Sequence, residues 1–221
     1  MVPTQLEDWT LPVVMGLVTQ GYSESDKFDF KEMLPHSKGS EDKLRLRKTC
    51  AAFANSTGGF LIFGVKDNPK LPPNDRIVGI SMRPDFFADF GDYPRGCTPS
   101  VDWTFLQPSI RLTNDKFIHI IHIPRSWQAP HWLEDPRIKE SVYFPKRTNK
   151  GNEPMSHEEV KMAYLQFYEK RLKLRLLRAE LDTIRQTAKT FIIPARQTAL
   201  AHDTGELGVS VIETVLAEDI S

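Results

Sequence analysis

Four side chains in the first third of this 221-residue chain have the chemistry of a phosphodiester-cleaving site: Glu24, Asp29, Lys31 and Asp67. Three carboxylates gathered in one cleft repel one another unless a cation joins them, and hard oxygen ligands suit Mg²⁺ or Mn²⁺. Such a metal activates water and stabilises a five-coordinate phosphate. A nearby lysine adds positive charge where negative charge develops. Read without that assumption, the same residues are solvated charges at strand ends, and an Asp-x-Lys step alone decides nothing.

The elements that must position these groups follow from hydrophobic spacing. Phe28 and Phe30 alternate with Asp29 and Lys31, which reads as a strand with one buried face. Asp29 and Lys31 share the other face and can line a groove. Phe60 to Val65 is an unbroken apolar run of strand length, so it reads as a central strand buried on both faces. If the two strands are neighbours, Glu24, Asp29 and Asp67 converge at one sheet end. Between them, Glu41 to Asn55 reads as a helix with acids in its first turn, and Gly58-Gly59 ends the turn region behind it. Residues 83–100 read as irregular with a short helix over Asp85 to Phe90. Trp103 to Leu112 and Lys116 to Ile123 read as a hairpin turning at Thr113-Asn114-Asp115. Residues 127–139 are loop-like, and Ser141 to Phe144 is a short strand.

From Ser156 to about Thr190 the pattern becomes strongly helical. Ser156 and Glu159 form a capping box just after Pro154. Val160, Tyr164, Phe167, Leu174, Leu177, Leu181, Ile184 and Ala188 recur at helical steps, broken once by Arg171. Such a stripe packs within its own chain or forms a dimer seam. Pro194 is expected to end the unit. The fold class is therefore α+β: a mixed sheet with flanking helices, then a long C-terminal helix and short helices. The expected organisation is a lead-in with a short helix over 1–20, a domain over 21–165, a basic helix over 156–190 and a helical tail over 191–221.

The 29 basic and 29 acidic residues cancel, so the whole chain projects no positive field, and nucleic-acid binding must use local patches. The candidate phosphate contacts are Lys38, Lys43, Arg45, Arg47 and Lys48 in the first helix region, and Lys146, Arg147 and Lys150 further on. A third group, Lys170, Arg171, Lys173, Arg175 and Arg178, lies on the long helix. Trp127, Trp132 and Tyr143 could stack on bases near the second group. Each patch also reads as a solvated face. Two cysteines and no apolar run long enough to span a bilayer fit a cytoplasmic protein without a disulfide framework.

Beyond these physical readings, the motifs Glu24, Asp29-Phe30-Lys31, Ala52-Phe53-Ala54-Asn55, Gly58-Gly59 and Gly64-Val65-Lys66-Asp67 resemble the AlbA-like domain of Schlafen proteins over about Gly21 to Tyr164. The resemblance implies nucleic-acid binding and, in some members, metal-dependent cleavage of structured RNA such as tRNA or rRNA. The family's three acids fall on Glu24, Asp29 and Asp67, with Asp29 standing where the family usually has Glu. Mg or Mn is the implied cofactor. No zinc is expected, because two cysteines are too few for the ligand set of animal members. One lobe, where animal members resemble two facing lobes, implies a homodimer. A DNA- or RNA-binding regulatory module without catalysis, and a dimeric interaction protein, remain the alternatives.

Overall fold

The Thr10-Leu11-Pro12 step starts helix α1 (Leu11–Thr19), with proline in its first turn, where the missing N–H costs nothing. The computed structural model describes residues 2–22, 25–35, 41–113, 115–134 and 142–201, with side chains as far as 189. Alternation in Phe28-Asp29-Phe30-Lys31 makes β1 (Phe28–Lys31). Helix α2 (Glu41–Asn55), with Glu41 and Asp42 in its first turn, leads into the fully buried β2 (Gly59–Phe63). A single turn α3 (Pro73–Arg76), β3 (Ile80–Ser81) and helix α4 (Phe86–Arg95) follow. Next come β4 (Thr104–Phe105), β5 (Ile110–Arg111) and the long β6 (Lys116–Ile123). Two small antiparallel pairs complete the strands: β7 (Leu133–Glu134) with β8 (Val142–Tyr143), and β9 (Pro145–Thr148) with β10 (Gly151–Pro154). Helix α5 (His157–Ala201) closes the described chain.

The main sheet runs β1-β2-β6-β3, with β4 and β5 also paired to β6. β1 and β2 are parallel, with Asp29 opposite Leu61, and β2 and β6 are antiparallel. The chain divides into two compact units, Met1–Tyr168 and Glu169–Ser221. Within the first, the sheet is apolar on both faces. Phe28, Phe30, Phe60, Ile62, Ile118 and Ile120 pack with Trp9, Val14 and Leu17 on one side. Leu61, Phe63, Ile121 and Ile123 pack with α2 and α4 through Cys50, Phe53, Phe86 and Phe90 on the other. Complete burial of each such side chain is worth about 1.5–3 kcal/mol, which fixes the register. His119 and His122 follow the same alternation. His119 stacks on Phe86 at 4.1 Å and His122 on Phe60 at 4.7 Å, on opposite faces.

Two glycines permit this close layering. A Cβ on Gly59 would overlap the Phe53 ring, so α2 and β2 approach only because that atom is missing. Gly64 has φ +96° and its Cα hydrogen faces Gly79, where a Cβ would lie 3.0 Å from the Gly79 Cα. The chain turns there out of β2, a conformation that L side chains rarely adopt.

Several expectations shift. The hairpin strand expected over Trp103 to Leu112 is split into β4 and β5. Pro108 between them has no N–H to give the ladder. The helix expected over 85–90 runs to Arg95, and Leu133–Glu134, in a stretch read as loop, pairs with β8. Pro194 does not end α5, which continues to Ala201. The proline's cost, about 3 kcal/mol, is tolerated within a helix of this length without terminating it. Residues 202–221 of the expected tail, Ser141 and Asn114 lie outside the described residues. The capping box is present: Ser156 Oγ accepts from the Glu159 N–H at 3.2 Å, and Glu159 accepts from the Ser156 N–H at 2.7 Å. No described helix is long and apolar enough to cross a membrane.

Candidate nucleic-acid interface

Asp29 and Lys31 do share a face of β1, with Lys31 Nζ 2.7 Å from Asp29 Oδ1. That face is no open groove. Layering by α2 leaves the Asp29 side chain 1% exposed and Lys31 26%. A carboxylate in such surroundings needs positive charge and donors around it. A second cation meets the need: Arg147 Nη1 lies 3.5 Å from Asp29 Oδ2, and its side chain is also 1% exposed. Arg147 donates besides to the Ser25 carbonyl at 2.9 Å, Asn152 Oδ1 at 2.9 Å and the Phe28 carbonyl at 3.4 Å. Its guanidinium lies 4.9 Å from the Phe53 ring centroid.

This corrects the reading of Arg147 as a phosphate contact. The alternation along β9 turns Pro145 and Arg147 inward and Lys146 and Thr148 outward, so the guanidinium stitches β9 to β1 instead of meeting solvent.

Asp67 lies four residues beyond the end of β2 and is exposed. It faces the field of Arg76, a fully buried arginine that donates to the carbonyls of Lys66, Val18 and Tyr22. Burial lowers the Arg76 pKa and the Asp67 charge opposes that shift. Because β1 and β2 are parallel, the start of β1 and the exit of β2 are at opposite ends of the pair. Glu24 lies outside the described residues. Among the described residues, no three His, Cys, Asp or Glu side chains gather as a ligand group. Asp29 is buried under two cations and Asp67 is exposed past a strand end.

The basic segments are arranged differently. Two stretches far apart in sequence, α2 and the β9–β10 pair, are stapled together. Asn55 donates to the carbonyls of His131 and Pro145, both at 2.8 Å, and accepts from the His131 N–H at 2.6 Å. Asn152 donates to Thr49 Oγ1 at 2.9 Å, and the Arg147 N–H donates to Ser56 Oγ at 2.8 Å. Lys48 then sits over the Tyr143 ring, 4.3 Å from its centroid. The exposed Arg45 and Lys150 belong to the same two segments. Each candidate cation has its own surroundings. Arg45 pairs with Glu41 at 3.1 Å. Lys146 pairs with Glu159 at 2.6 Å, and this hydrogen bond holds the Glu159 carboxyl below its ordinary range. Arg47 is half-buried and helps line a cavity of about 250 Å³ with Lys43, Arg83 and Tyr93. Lys38 lies outside the described residues. Trp127 is exposed and stacks on Phe167 with centroids 6.5 Å apart.

Neither Asn55 nor Asn152 was legible as a structural hub. Asn55 stands at the end of a helix, where a short polar side chain commonly meets loose backbone groups, but only the fold shows that those groups belong to residues 131 and 145. The two cysteines are free and buried; burial pushes the Cys97 thiol up to about 12 and raises Cys50 as well, so both stay protonated near neutrality.

The family model described as "Schlafen, AlbA_2" matches residues 24–156, more than half of the chain. No curated relative matches. Among solved structures, the DIP2311 protein from Corynebacterium diphtheriae is similar at 18% identity and TM-score 0.38, over 66% of this chain and 30% of that one. Residues within the matched span have visible roles in the lobe: Phe53 and Gly59 set the helix–strand distance, Asn55 staples the hairpin, and Asp29 holds Lys31 and Arg147. The chain belongs to the Schlafen AlbA_2 family, whose domain points to nucleic-acid binding.

Proposed function

We propose that this lobe is a nucleic-acid-binding module that contacts phosphates through the joined surface of α2 and the β9–β10 pair, with RNA as its main target. One observation supports this reading: the Asn55 and Asn152 staples join two basic segments, almost a hundred residues apart, with Tyr143 beneath Lys48. Cations supply affinity by releasing counterions from the phosphate backbone, and an aromatic ring beside them offers a stacking platform. The pairing of Arg45 with Glu41 and of Lys146 with Glu159 limits how many cations contribute at once.

Retention of labelled tRNA and of single-stranded DNA, titrated between about 50 and 200 mM salt, tests the surface. Each phosphate contact adds roughly 0.7 to the log–log salt slope on single strands. The triple variant Arg45→Glu, Lys48→Glu, Lys150→Glu is expected to lose about 2 from that slope. Retention that ignores salt and survives the triple reversal would sink the reading.

A second reading, metal-dependent cleavage of structured RNA such as tRNA or rRNA, is favoured by the contact between Lys31 and Asp29 inside the matched motif. It requires Glu24 to complete the acids. Incubating total tRNA with Mg²⁺ or Mn²⁺ separates the two readings. Cleavage lost in Asp67→Ala, and in an Asp29→Ala variant that keeps the wild-type urea midpoint, would establish an endoribonuclease. Intact tRNA with salt-sensitive retention leaves the binding module.

A further inference from the structure

Among the described residues, a long run of exposed apolar side chains lies on α5. Leu174, Leu177, Leu181 and Ile184 are 47%, 58%, 50% and 66% exposed. They are spaced by three, four and three residues, and Ala188 follows after four more. Extending that frame backwards places Lys170, Phe167, Ala163 and Val160 on the same seam. In heptad terms Val160, Phe167, Leu174, Leu181 and Ala188 are a positions, and Ala163, Lys170, Leu177 and Ile184 are d positions. Phe167 stacks on Trp127 of its own lobe and Val160 and Ala163 are half-buried, so the seam open to a partner runs from Lys170 to Ala188, with one charge among its six positions, a pattern that lets helices wind around one another. Lys170 can lay its apolar stem along the seam and keep its ammonium in water.

We infer that α5 pairs with α5 of a second copy of this chain as a parallel, two-stranded coiled coil. The occupant follows from the repeat. A 3–4 seam is complementary to another 3–4 seam in knobs-into-holes packing, and the nearest supply of that seam is an identical helix. The other apolar stripe, Leu165, Tyr168 and Leu172, meets Arg175 at the next seam step and stops, so the Leu174–Ala188 frame is the longer one. The flanking charges choose the orientation. The e positions are Arg171, Arg178 and Arg185, and the g positions include Lys173 and Glu180. Antiparallel packing sets e against e, which brings Arg171, Arg178 and Arg185 of the two copies face to face, with only the Lys173–Glu180 approach across the g flank to offset them. Parallel packing sets Glu180 against Arg185 of the other copy, which offsets the unfavourable Lys173–Arg178 approach. This inference is independent of the nucleic-acid reading, since none of the surface on α2 and β9–β10 takes part.

Light scattering of the full chain during size-exclusion chromatography tests it. The expected mass is twice the 25.3 kDa of one chain. Leu177→Glu with Leu181→Glu is expected to reduce it to a single copy. Leu172→Glu, equally exposed but off the seam, is expected to leave it doubled. Glu180→Lys is expected to weaken the dimer roughly five-fold, and Glu180→Lys with Arg185→Glu to restore it, as two symmetry-related pairs would. A wild-type mass of one chain, or of three or more, overturns the assignment. So does a seam variant that keeps the doubled mass, or a charge swap that fails to restore it.

Discussion

Replacing Arg147 by methionine should damage the fold far more than a surface cation would, and a double-mutant cycle with Asp29→Asn tests why. In the native lobe the two side chains are each 1% exposed and 3.5 Å apart. Removing one partner of a buried ion pair costs about 3–5 kcal/mol. Lys31 remains 2.7 Å from Asp29, which pulls the ionic part to the lower end, about 3 kcal/mol. The Ser25 carbonyl and Asn152 also lose a charged donor, adding about 1 kcal/mol together. Arg147→Met is therefore expected to cost about 4 kcal/mol. Asp29→Asn keeps the shape but leaves Arg147 with neutral acceptors, for about 3 kcal/mol. Because each change already removes the shared pair, the double variant should lose about 5 kcal/mol, a coupling of about 2. Urea unfolding of the full chain, followed by the fluorescence of its four tryptophans, measures all three. Losses that add to within about 0.5 kcal/mol would show that Asp29 and Arg147 do not act on each other. The outcome also governs how any activity lost in Asp29→Ala is read, since a collapsed lobe and a missing catalytic group give the same blank assay.

Three further outcomes are expected. His119 is buried against Phe86, and burial pushes its pKa down from 6.5 to about 4. Its contribution is full above pH 6.5 and is lost as pH falls toward 4, because the unfolded chain takes the proton first; the loss is roughly 3 kcal/mol. Urea midpoints between pH 7 and 4 should fall less steeply in His119→Phe, and an unchanged slope would refute the assignment. Gly59→Ala pushes a methyl into the Phe53 ring and should cost about 1–3 kcal/mol, read as a lower thermal midpoint; Gly59→Ala with Phe53→Leu should recover part of it. Asn55→Ala removes three hydrogen bonds between α2 and residues 131 and 145. It should lose about 2–4 kcal/mol and speed amide exchange in β9, whereas an unchanged exchange rate would mean the hairpin holds without the staple.

The layout of the lobe was legible where a period was strong. Phe28 and Phe30 announce an edge with one apolar side, Phe60 to Val65 announces a buried strand, and Ser156 with Glu159 announces the start of the last helix. The site was legible only as a set of residue types. Alternation told that Asp29 and Lys31 share a face, but it cannot say whether that face meets water or another helix; α2 covers it, and an expected groove became an ion-pair cluster. Arg147 shows the same limit from the other side. A run of Lys-Arg in a polar stretch looks like a phosphate contact, and only pairing with β10 and packing on α2 turn one of the two inward. Pairings across many residues, such as Asn55 with Pro145, leave no local trace because both partners are ordinary in their own segments.

The bonds from Arg147 to the Phe28 and Ser25 carbonyls have a bearing on solubility. β1 closes one end of the sheet order and, among the described residues, pairs only with β2. Its outward carbonyls would otherwise invite a strand from another molecule. The Phe28 carbonyl instead accepts from the Ser25 N–H at 3.0 Å and from Arg147 at 3.4 Å, so the fringe of the sheet is occupied from within. A variant that frees this fringe would expose, on each partial opening, a short aromatic strand able to recruit its like. Its first symptom would be concentration-dependent precipitation during expression, ahead of any change in ligand affinity.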